Sequence, residues 1–70
     1  MNSFLIWEND HGRNYLHGLY YGNSIEEALD NLAREKQYKD GATLKCFPNR
    51  QEWFAAKKTD LSKFRFEEVT

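Results

Sequence analysis

The stretch Ser24-Ile25-Glu26-Glu27-Ala28-Leu29-Asp30-Asn31-Leu32-Ala33 constrains this chain more than any other. Ile25, Ala28, Leu29, Leu32 and Ala33 recur at i, i+3, i+4, i+7 and i+8, which lays them along one stripe of an α-helix. At the front, Ser24 and Glu27 stand three apart. A serine there accepts from an orphan amide of the first turn while the glutamate reaches back, the pattern of a capping box. Glu26 and Glu27 early and Arg34 late suit the helix dipole, and Asp30 and Arg34 are spaced for an i,i+4 ion pair. Gly22-Asn23 breaks whatever precedes the helix, and Gly41 is the expected stop. A helix this short cannot stand alone, so the rest of the chain must cover its stripe.

The remainder reads as strands. Residues 4–8 (FLIWE) form a short aromatic and β-branched run, and Asn9-Asp10-His11-Gly12 is dense in turn formers. Residues 13–21 (RNYLHGLYY) form a second strand, antiparallel to the first across that turn, with Gly18 marking a bulge or a close backbone approach. Residues 42–47, 51–58 and 62–69 complete the set, joined by turns at Pro48-Asn49-Arg50 and Thr59-Asp60-Leu61. The expected fold is therefore α+β in the order β-β-α-β-β-β, a small antiparallel sheet with one helix on one face. Seventy residues form a single domain, 1–70, with a modest core.

Strand alternation then divides the side chains. With Leu44, Cys46, Phe54, Ala56, Phe64 and Phe66 turned toward the helix, the opposite face displays Lys45, Trp53, Lys57, Lys63 and Arg65. That face is basic and aromatic. Charge is also uneven along the chain. Residues 1–33 carry one base against five acids, whereas residues 34–70 carry nine bases against six acids. Such a split suits an interaction surface.

Chemistry finds little purchase in this sequence. His11, His17 and Cys46 lack the compact spacing of a zinc site, and no third group is indicated for a Cys–His nucleophile. The glycines are dispersed, so no phosphate-binding loop is built. No enzyme, metal or cofactor is expected. The single cysteine leaves no internal disulfide, and the N-terminal stretch lacks a basic leader or a long apolar run, so a soluble protein of a reducing cytoplasm is expected, without a membrane role. Basic residues beside an exposed tryptophan would suit nucleic acid, while Tyr15, Tyr20, Tyr21, Trp53, Arg13, Arg50 and Arg65 are anchor types of protein interfaces.

The run REKQYKDGATLKCFPNRQEWFAAKK resembles the corresponding part of the ninth type I-F anti-CRISPR family, small phage-type inhibitors. The shared features are Ser24-Ile25 followed by Ala28, then Gln37, Gly41, and Trp53-Phe54-Ala55-Ala56-Lys57. The likeness covers about residues 24–58 and is gap-free from Gln37 to Lys57. A tyrosine-rich second strand and the KFRFEE tail depart from the family pattern. The resemblance implies a non-enzymatic inhibitor in the host cytoplasm, and a monomer is expected. It would bind the backbone subunits of a bacterial type I CRISPR surveillance complex, a guide-RNA nucleoprotein, and block target DNA hybridisation, with duplex DNA as a non-specific accessory contact. Gln37 and Lys57 fall at matching contact positions, and Lys36 lies one place from the family's helix lysine. The expected partner-binding set is Lys36, Gln37, Trp53 and Lys57, supported by Lys63 and Arg65. The alternatives are a small nucleic-acid-binding regulator using the basic, aromatic sheet face, and a structural or assembly protein.

Overall fold

The computed structural model describes residues 2–69, with residues 38–40 described by their backbone alone. The elements run β1 (Asn2–Asp10), β2 (Arg13–Gly22), α1 (Ile25–Glu35), β3 (Gln37–Asp40), β4 (Thr43–Cys46), α2 (Arg50–Lys57), one 3₁₀ turn (Leu61–Lys63) and β5 (Phe64–Val69). β1 lies between β2 and β5 in an antiparallel three-stranded sheet, while β3 and β4 form a separate hairpin. The class is α+β, with an antiparallel sheet, as expected.

α1 forms where the periodicity places it. Ser24 Oγ accepts from the Glu27 amide at 3.2 Å, and Ala28, Leu29, Leu32 and Ala33 are all buried. Their stripe packs into one core with Phe4 and Ile6 of β1, Phe47, Trp53 of α2 and Phe64 of β5. Close approach at the start of α1 explains Gly22, since a Cβ there would sit 2.6 Å from the Ala28 amide nitrogen. Asp30 does not pair with Arg34. It accepts from the Arg50 amide at 2.9 Å and from the Arg50 guanidinium at 3.0 and 3.1 Å, so α1 holds the first residue of α2. Arg34 turns instead to Asn31 and to the Pro48 carbonyl.

Residues 51–58 are not a strand, and the described residues form two α-helices. Asn49, expected in a turn, is an N-cap: its side chain accepts from the Glu52 amide at 3.0 Å. Ala55 and Ala56 favour the helix, and Lys58 closes it in the left-handed conformation at φ 55°. Trp53 and Lys57 share a side in both readings, since four residues is one helical turn as well as two strand repeats. In the helix that side faces the protein, so Trp53 is buried and Ala56 exposed.

The strand assigned to residues 42–47 is displaced as well. Gly41, at φ 64°, turns the β3–β4 hairpin rather than ending α1, which stops at Glu35. Leu44 and Cys46 are exposed and only Phe47, just past the hairpin, enters the core, the reverse of the expected alternation. On β5, Phe64 is buried but Phe66 is 44 % exposed at the sheet edge. The face away from α1 consequently lacks Trp53, Lys57 and Lys63, and of the expected basic set only Arg65 belongs to this sheet. Replacing Gly22 by alanine should force apart β2 and α1. A loss of about 1–3 kcal/mol is expected in urea denaturation, and an unchanged midpoint would show the contact to be relaxed.

Candidate functional site

Phe4, Ile6 and Glu8 alternate onto the inner side of β1, so a carboxylate occupies the third position of a core stripe. Glu8 is only 4 % exposed. A charge so enclosed needs partners with strong hydrogen bonds, and two are supplied. His17 Nε2 lies 2.9 Å from Glu8 Oε1. Lys57 Nζ lies 2.9 Å from each of the two carboxylate oxygens.

His17 reaches this position through a bulge. The β1–β2 register slips between Ile6 and Trp7: Ile6 pairs with Gly18 and Trp7 with Leu16, leaving His17 as the extra residue. Gly18 takes φ 116°, a conformation that glycine adopts without strain. The imidazole then meets Trp53 edge-on at 5.6 Å and stacks on Phe64 at 6.1 Å. Lys57 extends over the Trp53 ring, 5.3 Å from its centroid, a cation–π contact that adds to its ion pair. Glu8 thus joins β1, β2 and α2 at one point.

Burial holds the His17 imidazole below its usual value of 6.5. The hydrogen bond to Glu8 opposes that shift, while the positive charges of Lys36 and Lys57 reinforce it. In the neutral ring, an Nε2–H donates to Glu8. Because the folded pKa is lowered, the unfolded chain binds more protons between the two values. Stability is full above about pH 6.5 and declines as pH falls toward the folded pKa.

Next to this cluster opens a recess of about 370 Å³, lined by His17, Lys36, Gln37, Phe47, Trp53, Ala56 and Lys57. Its geometry begins at the end of α1, where the Lys36 amide donates to the Leu32 and Ala33 carbonyls at 3.1 and 3.2 Å. Lys36 itself is extended, with φ −74° and ψ 131°, and hands the chain to Gln37 as the first residue of β3. α2 approaches from the other side with Trp53 and Lys57. The lining thus combines the rings of Phe47 and Trp53 with two lysines and one glutamine.

Four of the six residues expected to bind a partner, Lys36, Gln37, Trp53 and Lys57, therefore converge on one recess. Trp53 is part of its wall and, at 3 % exposure, offers no stacking platform. Lys63, exposed at the end of the 3₁₀ turn, lines a neighbouring polar recess of about 450 Å³ with Lys57, Lys58 and Asp10. Arg65 does not join them. It lies on the opposite side of the sheet, its guanidinium 4.9 Å from the Trp7 ring centroid.

Sequence reasoning left out Glu8 and His17, the pair that fixes Lys57 in place. The signal for Glu8 was present, because a period of two beginning at Phe4 and Ile6 carries it to the core side. Among the described residues no three histidine, cysteine or acidic side chains are grouped to hold a metal ion. Both oxygens of Glu8 are engaged, so the cluster works as a clamp on α2. No family model, curated protein or solved structure matches this chain.

Glu8→Gln leaves Lys57 without its counter-charge. A side chain one-third exposed can turn to water, so a loss of about 1–3 kcal/mol is expected rather than the larger cost of a fully enclosed charge. Urea melts at pH 7 measure it. Melts between pH 5 and 7 should show stability rising with pH, and His17→Gln should flatten that slope; an equal slope in both proteins would assign the effect elsewhere.

Proposed function

We propose that this chain is a non-enzymatic binding module of the anti-CRISPR type. In this reading it occupies the backbone subunits of a bacterial type I CRISPR surveillance complex in the host cytoplasm and blocks hybridisation of the guide with target DNA. One observation carries the reading. Gln37 and Lys57, at the contact positions matched by the family resemblance, and Lys36, one place from the family's helix lysine, line a single recess.

The chemistry of that recess suits a polar macromolecular surface. Lys36 and Lys57 offer ammonium groups to carboxylates or phosphates, and the Gln37 amide can both donate and accept. The backbone subunits of such a complex hold nucleic acid through its shape and phosphates, so an occupant of that channel competes for polar and charged groups. Rim charges of this kind steer encounter and set register more than they add affinity. Lys57 is already oriented by Glu8, so its rotamer is fixed before a partner arrives.

A second reading has its own observation. Lys57, Lys58 and Lys63 gather around the neighbouring recess, a group that could follow a phosphate backbone. The sheet-face version of that reading falls, because Trp53 is enclosed and Lys57 belongs to α2.

Immobilised type I surveillance complex should retain the wild-type protein. Lys36→Glu should weaken retention by about tenfold or more, with Gln37→Ala a smaller step in the same direction. Lys57→Glu is a poorer probe, since it would place a second acid against Glu8. Full-strength capture of Lys36→Glu would remove the recess from the interface, and no capture of the wild type would remove the reading. Titration with duplex DNA at low and moderate salt addresses the second reading, which requires steeply salt-dependent binding.

A further inference from the structure

The sheet has a second face, and its pattern is independent of the recess. With Phe4, Ile6 and Glu8 turned inward, Ser3, Leu5 and Trp7 turn outward. The register extends each into a cross-strand row: Tyr21–Ser3–Val69, Leu19–Leu5–Glu67 and Leu16–Trp7–Arg65. The bulge at His17 is what places Leu16 outward beside Leu19. Leu16, Leu19, Tyr21 and Val69 are between 39 % and 58 % exposed. Together these rows make a contiguous, largely apolar face.

Two charges interrupt it, and their placement selects the occupant. Arg65 and Glu67 lie two residues apart on β5, opposite in sign and on the same face. We propose that a second copy of this chain packs face to face on this sheet, about a two-fold axis that crosses the strands between the Leu5 and Trp7 rows. Under that operation each strand lies over its own copy, running the other way. Trp7 meets Leu5 of the second copy, Leu16 meets Leu19, and Arg65 meets Glu67, each contact occurring twice. The alternative two-fold axis, along β1, would lay β5 over β2 and bury Arg65 and Glu67 against leucines without partners. Of these two arrangements, only the first pairs both charges.

Area sets the strength. Three strands about 4.8 Å apart and about five residues long at 3.3 Å each make a footprint of the order of 250 Å². Two such footprints make of the order of 500 Å² in total, below the size of specific stable interfaces and in the range of weak, transient ones. A contact of this size associates weakly and is populated only at high protein concentration. The monomer expected from the sequence is the dilute species. The recess lies on the α1 side of the sheet, so each copy keeps its own recess open, and the inference holds whether or not the proposed function does.

Sedimentation velocity on the full chain from about 5 to 500 μM should show the weight-average mass climbing from monomer to dimer and stopping there. Arg65→Glu and Glu67→Arg should each weaken association by about tenfold or more, and the double exchange should restore it to within about threefold. Leu19→Lys, at an exposed position, should abolish it while leaving the far-ultraviolet circular dichroism unchanged, which keeps the test valid if loss of the Arg65–Trp7 contact disturbs folding. A monomer throughout the range, growth beyond the dimer, or a double exchange as weak as either single one would each overturn the proposal.

Discussion

A carboxylate that is 4 % exposed in a domain of this size has to be answered by cations or donors brought to it, and that demand organises the fold. Glu8 is answered from β2 by His17 and from α2 by Lys57. Both partners in turn lean on aromatic rings, His17 on Trp53 and Phe64, Lys57 on Trp53. The polar cluster is therefore walled by the same residues that complete the core. An apolar residue at position 8 would fill the space, yet it would not select one rotamer for Lys57 or one placement for α2. The specificity of the arrangement comes from the charge.

α1 was legible in the sequence because period, cap and dipole charges all point to the same residues. α2 was not. Its aromatic, alanine and lysine composition fits a helix or an exposed strand face equally, and four-residue spacing satisfies both periods. The deciding marks are the Asn49 cap and the Asp30–Arg50 contact, and the second depends on the tertiary fold. Phe47 was misplaced for a related reason. A two-stranded hairpin that leaves the main sheet has no fixed inside, so alternation within it predicts nothing about the core. The recess was half legible. Lys36, Gln37 and Lys57 stand among the residues expected to bind a partner, while their meeting depends on an abrupt exit from α1 into β3 that local sequence does not announce.

The sheet separates two surfaces of different character. On the α1 side, two lysines and a glutamine line a recess with Phe47 and Trp53, a combination suited to a polar partner group. On the other side, leucine, tryptophan, tyrosine and valine lie in rows with one charge of each sign. Such a face is suited to shape and apolar contact, with electrostatics fixing only the register. β1 contributes to both, through Glu8 inward and Leu5 and Trp7 outward.

The extra residue at His17 has a consequence for comparing this protein with others. Upstream and downstream of the bulge, β2 alternates in opposite phase, so parity along the chain does not report a constant face. A relative without the additional residue would show inward side chains at one parity throughout. Aligned letter by letter, the columns on one side of Gly18 would then equate buried positions with solvent-facing ones, and shared physics would score as mismatch. Descent from a common ancestor would be visible in the strand pairing before it was visible in the alphabet.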